Sequence, residues 1–127
     1  MIRHIPNKYN LTSLKEEIDQ EFFNKYDLLY LPLDKENKCN LGFAFINLID
    51  PMHIILFFHF FRGSKWKKFN SVKICELVYA KFQGKKDLIA HFEKGSGKQN
   101  ESDQKNSFIL VTPNPIKKIE IPIVKYI

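Results

Sequence analysis

The sequence predicts an α+β domain: one four-stranded antiparallel sheet with two helices packed on a single face, followed by an extra helix and an extended tail. Three observations carry this prediction. Apolar patterns along the chain alternate in the order strand, helix, strand, strand, helix, strand. The segment "LGFAFINLI" (41–49) places Phe43 and Phe45 on one face of a strand and Ala44 and Ile46 on the other, so both faces are apolar. The length of 127 residues suits a single domain with one core.

The elements follow in order. "MIRHIP" (1–6) is a short apolar run closed by Pro6 and reads as a strand, with "NKYN" as the turn after it. "LTSLKEEIDQEFF" (11–23) reads as a helix, because Leu11, Leu14, Ile18 and Phe22 recur at helical spacing. Ser13 and Glu16 have the spacing of a capping box. "YDLLYLPLD" (26–34) reads as a strand with Leu29, Leu31 and Leu33 on one face and Tyr30 and Pro32 on the other. The proline suggests an edge position or a bulge. "KENKCN" is a polar loop leading into the 41–49 strand. Asp50-Pro51 is a helix start, with Asp as N-cap and Pro at the first helical position. The helix "MHIILFFHFF" then stops near Gly63. "RGSKWKKFN" (62–70) is a basic loop around Trp66, and "SVKICELVYAKF" (71–82) is the fourth strand.

Residues 1–82 therefore form the βαββαβ core. Residues 83–94 form a helical extension in which Leu88, Ile89 and Phe92 make the apolar face. Residues 95–107 read as a flexible polar loop. Residues 108–127 read as an extended apolar tail broken by Pro113, Pro115 and Pro122, which docks as an edge strand or lies over the surface.

The formal net charge is +6 and the sequence pI about 9.3, a balance that favours an anionic partner, with nucleic acid first and a membrane surface second. Arg3 and Arg62 are the two arginines among twenty basic residues. Cys39 and Cys75 are too few for a disulfide scaffold and read as free thiols in a reducing compartment. The most apolar run, "IILFFHFF" (54–61), is too short to cross a bilayer. A nuclear or cytoplasmic monomer without membrane association is the expectation.

In the predicted sheet, the first and third strands lie side by side in the centre. Ala44 and Ile46 fit the core, so Phe43 and Phe45 stand on the face away from the helices. Aromatic rings on an open sheet face are a platform on which single-stranded bases stack. The segment Leu41-Gly42-Phe43-Ala44-Phe45-Ile46-Asn47-Leu48 matches the pattern K/R-G-F/Y-G/A-F-V-x-F/Y, except that Leu41 replaces the basic residue and Leu48 the final aromatic. At this point the sequence resembles the RNA recognition motif, a ferredoxin-like βαββαβ fold. The partner motif on the first strand usually offers an outward aromatic ring; here Met1 takes that position and Arg3 is the next outward residue.

The stretches "IRHIPNKYN", "YDLLYLPLDKENKCNLGFAFINLIDP", "KWKKFNS" and "ICELVYAKFQGKKDLIAHF" resemble, more closely, the C-terminal RNA recognition motif of the Mei-two-like proteins, over roughly residues 1–94. These are eukaryotic RNA-binding regulators best known from meiosis and development. The resemblance implies single-stranded RNA binding and a role in post-transcriptional regulation.

The candidate RNA-binding residues are Phe43, Phe45, Met1, Arg3 and Tyr30 on the sheet; Arg62, Lys65, Trp66 and Lys67 in the basic loop; and Lys81 and Lys85 after the fourth strand. Each has a plainer alternative. Phe43 and Phe45 can be covered by the tail or third helix, Tyr30 can be an ordinary exposed tyrosine, Trp66 can cap the core, and the lysines can simply be solvated. Glu16, Glu17, Asp19 and Glu21 gather on the first helix, on its solvated face, where a basic peptide is a minor alternative partner. The histidines at 4, 53, 59 and 91 lack zinc-like spacing with a cysteine, so no metal or cofactor is expected. Acylphosphatases share the strand order, but the turn "PNKYN" has no glycines to cradle a phosphate, and no enzyme activity is expected. The competing reading is a protein-interaction domain whose sheet face is covered by the C-terminal extension, with contacts made through the first helix or the tail.

Overall fold

The computed structural model describes residues 1–95 and 108–110. The elements are β1 (Ile2–Arg3), α1 (Leu11–Phe22), β2 (Tyr26–Tyr30), β3 (Phe43–Leu48), α2 (Pro51–Phe61), β4 (Glu76–Leu77), α3 (Lys85–Gly95) and β5 (Phe108–Leu110). The sheet order is β4-β1-β3-β2-β5, and each neighbouring pair is antiparallel. The four strands of the expected βαββαβ sheet are present in the expected order. The apolar tail contributes a fifth, because Phe108–Leu110 pairs with β2. The polar loop expected at 95–107, after Gly95, and the rest of the tail, 111–127, lie outside the described residues.

Helix α1 starts as the leucine spacing requires, but its cap differs from the expected one. Asn10 is the N-cap: its side chain accepts from Ser13 N at 2.8 Å, while the Ser13 hydroxyl accepts from Asn10 N at 2.9 Å. Ser13 is thus the reciprocal partner of the cap, not the cap itself, and Glu16 has no part in it. Helix α2 starts as read, with the Asp50 carboxylate accepting from Met52 N at 2.9 Å and Pro51 in the first turn.

The core lies between the sheet and α1/α2. Ile2, Ala44, Leu29 and Leu31 rise from the sheet to meet Leu14, Ile18 and Phe22 of α1 and Phe57 and Phe61 of α2. Phe22 fits edge-on against Phe57 at a centroid distance of 4.9 Å, which locks the two helices together.

Two strands are shorter than their apolar runs. His4 adopts φ 63°, in the left-handed region, and ends β1 after Arg3. β4 then has little to pair with: Leu77 opposes Ile2, Glu76 opposes Arg3, and Val78 and Met1 exchange backbone hydrogen bonds of 3.0 and 2.6 Å. Upstream, the run 71–82 contributes only the isolated bridge Lys65↔Ile74. β2 stops at Tyr30, before Pro32, and its bulge falls between Tyr26 and Leu28 rather than at the proline. With β5 alongside, β2 is not an edge strand, so neither explanation offered for Pro32 applies; the proline sits just beyond the ladder.

Helix α3 forms over the expected residues. Leu88 is buried and Ile89 half-buried; the side chain of Phe92 lies outside what is described. Tyr79 remains 85% exposed, so the helix does not cover it, while Phe82 stacks on His91 of the helix itself at 3.9 Å.

Candidate nucleic-acid interface

Strand alternation and the buried Ala44 together put Phe43 and Phe45 on the face away from the helices. Their rings meet edge-on at 5.8 Å, and Tyr30, directly opposite Phe45 across the β2–β3 ladder, lies nearly parallel to it at 6.3 Å. The three rings form one continuous aromatic surface, each half-exposed. Burial pushes the Tyr30 phenol above its ordinary pKa, so it stays a neutral donor through the physiological range.

The start of β3 is held by two devices. Gly42 adopts φ 92°, a conformation that side chains disfavour, which explains the glycine ahead of the two aromatics. Buried Asn40 donates from Nδ2 to Pro6 O and Tyr9 O, both at 2.8 Å, and its Oδ1 accepts from Gly42 N at 2.7 Å. Asn40 thereby ties the β1–α1 turn to the aromatic strand. Sequence reading passed over it because an asparagine in a polar loop carries no outward sign of burial.

Arg3 lies beside the rings, opposite Phe43 in the β1–β3 register. Its guanidinium is 3.7 Å from the Glu76 carboxylate, which also takes His4 Nε2 at 3.4 Å. Arg3 is therefore exposed but partly compensated. Met1 is half-buried at the end of the same face. Leu28 is fully buried although it stands outside the core cluster, so the β2 side of this face is not open to solvent throughout.

The basic loop goes elsewhere. Trp66 is 5% exposed and joins the core on the helical side, edge-on to Tyr9 at 5.2 Å, so the expectation that it stacks on a base is corrected. Lys67 is exposed beside it: its ammonium reaches Gln20 Oε1 at 2.9 Å and lies 5.8 Å from the Phe60 ring, against the helices. Arg62 lies over Phe58 of α2 at 5.0 Å. Lys65 is exposed in its bridge to Ile74. Lys81 is exposed and Lys85 half-buried at the start of α3.

The loop is fixed by α1. Tyr9 donates to Glu17 Oε1, and Lys68 N donates to the Tyr9 hydroxyl at 2.9 Å. Lys68 Nζ pairs with Glu16, Lys15 with Asp19, and the Tyr26 hydroxyl donates to Asp19 at 2.6 Å. The acidic cluster on α1 is thus not a uniformly solvated face: Glu17 is buried, and two more of its members are engaged internally. Burial, reinforced by the Glu17 hydrogen bond, drives the Tyr9 phenol far above its usual pKa.

α3 borders the aromatic face from one end. A pocket of about 440 Å³ is lined by Leu88 together with Met1, Phe45 and Val78 of the sheet and Ile54 and Phe58 of α2. Phe43 is outside it.

A βαββαβ sheet carrying paired aromatics on the strand that follows a glycine, with its helices on the opposite side, defines the class of RNA recognition motif folds. The chain belongs to the family described as RNA recognition motif 2, whose model matches residues 1–93. It is 54% identical over 96 residues to Protein MEI2-like 3 of Oryza sativa subsp. japonica, a match covering 76% of this chain and 10% of that protein. It is 50% identical over 115 residues to Protein MEI2-like 1 of Arabidopsis thaliana (91% and 12%), and 48% identical over 120 residues to Arabidopsis Protein MEI2-like 5 (94% and 15%). The chain thus spans a small fraction of the length of the curated relatives it matches.

Proposed function

We propose that the domain binds single-stranded RNA on the sheet face, without enzymatic chemistry, in post-transcriptional regulation of the kind the Mei-two-like resemblance implies. The observation that carries this reading is the continuous surface of Phe43, Phe45 and Tyr30. Its rings are held by a rigid ladder, are half-exposed, and sit on the face away from the packed helices. A base stacked on such a ring contributes roughly 1–3 kcal/mol. Arg3 supplies a cation beside Phe43, and Lys81 and Lys85, which follow β4 in the chain, are further candidate phosphate contacts. Family membership supports the same partner.

The test is titration of short RNA oligomers at low and moderate salt against the full chain and the Phe43→Ala/Phe45→Ala variant. Loss of most of the affinity in a variant that remains folded is the expected result. Unchanged affinity would move the interface elsewhere.

The burial of Leu28 favours a second reading, in which part of this face is covered within the chain and the domain engages a protein. Truncation to residues 1–84 separates the two, once the truncated chain is shown to be folded: RNA affinity that rises on truncation supports a covered face, and affinity that holds or falls supports an open one.

A further inference from the structure

Helix α2 is apolar nearly all the way round, yet its buried residues are only His53, Phe57 and Phe61. Met52, Ile55, Leu56, Phe58 and Phe60 are all exposed, between 38% and 52%. An amphipathic helix covering a core would place polar residues at these positions. A contiguous exposed apolar surface of this kind marks an interaction site. It lies on α2, with Ile55 and Phe58 at its margin reaching the pocket that Phe45 also lines, and Phe43 and Tyr30 outside that pocket; the RNA-binding reading makes no use of it.

The charges around it indicate its occupant. Arg62 lies over the exposed Phe58 ring at 5.0 Å and Lys67 over the exposed Phe60 ring at 5.8 Å. Neither makes an ion pair among the described residues, whereas Lys15 and Lys68 are already matched to Asp19 and Glu16. The C-terminal end of the apolar helix is therefore rimmed by two uncompensated cations held against its rings. Two other occupants fit this rim poorly. A second copy would bring another chain of formal net charge +6. The chain's own segment 111–127 carries Lys117, Lys118 and Lys125 against the single Glu120.

We propose that the outer face of α2 is a docking site for an amphipathic protein segment with an apolar helical stripe flanked by acidic residues. The apolar stripe would lie along Met52, Ile55 and Leu56, and the acidic flank would meet Arg62 and Lys67. This is the helix-on-groove mode of peptide recognition, with orientation set by charge.

The test uses the full chain, isotopically labelled, and a synthetic peptide with leucines at i, i+3 and i+7 flanked by glutamates. A scrambled peptide of the same composition is the control. The expected result is saturable binding of the first peptide alone, with amide shifts centred on residues 52–62. Leu56→Glu replaces an exposed side chain and should leave the fold intact while weakening binding about tenfold or more, as loss of an anchor does. Arg62→Glu combined with Lys67→Glu should reverse the preference toward a lysine-flanked peptide. Equal binding of the scrambled peptide, shifts confined to the sheet face, or indifference to Leu56→Glu would overturn the proposal. So would either of two reassignments that depend on Leu56: stronger binding to phosphatidylserine-containing vesicles than to the peptide, or self-association of the chain on concentration.

Discussion

Phe45 and Trp66 are aromatic residues on opposite sides of the same sheet. Phe45 sits mid-strand, braced by Phe43 and Tyr30, with its ring half in solvent. Trp66 sits in a lysine-rich loop that has every compositional mark of a nucleic-acid contact, yet its indole is in the core against Tyr9. The difference lies in what holds the backbone. A ladder fixes alternate side chains outward whatever their hydrophobicity, whereas a loop is free to turn its largest apolar group inward. Here the loop turns because buried Glu17, through Tyr9, captures its backbone N–H groups. The lysines beside Trp66 are carried with it to the helical side.

The contrast can be broken most severely at Ala44, which separates the two outward phenylalanines and is itself fully buried. Ala44→Asp forces a carboxylate into the core without a partner and should unfold the domain, seen as loss of the cooperative thermal transition. Phe43→Ala should leave that transition in place. If Phe43→Ala unfolds the chain and Ala44→Asp does not, the face assignment is inverted.

Trp66→Ala should cost about 3–5 kcal/mol in denaturant unfolding, in line with removal of a large core aromatic, and leave RNA affinity unchanged under conditions where the variant is folded. Trp66→Phe should cost much less, because the indole Nε1 has no hydrogen-bond partner among the described residues. A loss of RNA affinity in folded Trp66→Phe would return this residue to the interface.

Salt dependence sharpens the comparison further. Each phosphate contact to a single strand contributes a slope of about −0.7 in log K against log salt. Arg3→Gln should flatten the slope by about that amount, and Lys67→Gln should leave it alone, since Lys67 is turned toward Gln20. Equal effects from both would mean that RNA wraps around the edge onto the helices.

The smallest expected effect concerns the thiols. Cys75 is buried, and burial pushes its pKa from 9.0 up to about 12. An unfolded chain releases this proton near 9 and the folded chain near 12. The stability contributed by keeping the thiol protonated is fully present below about pH 9 and declines as pH rises from there toward 12. Cys39 is exposed, so alkylation of the native protein at pH 8 should modify Cys39 readily and Cys75 only on unfolding. Rapid labelling of both would show that the β4 end of the core opens locally.

Much of this architecture was legible in the residues. Leucine spacing gives α1, Asp50-Pro51 gives the start of α2, and the alternation of Phe43, Ala44, Phe45 and Ile46 separates the two faces of β3, because strand and helix periodicities are local consequences of backbone geometry. Apolar runs overstate the ends of strands. β1 stops at His4 and β4 shrinks to Glu76–Leu77 because a strand lasts only as long as its neighbour supplies hydrogen-bonding groups, and that depends on a left-handed residue seventy positions away. Tertiary contact alone decided the fate of the basic loop. The burial of Trp66, the capture of its flanking amides through Glu17 and Tyr9, and the turning of Lys67 toward α1 all arise between segments about fifty residues apart, where composition carries no directional information. The exposed apolar face of α2 belongs to the same category. The run "MHIILFFHFF" reads as core from end to end, and only the packing of the helix on the sheet determines that three of its side chains are buried while most of the others are left facing solvent.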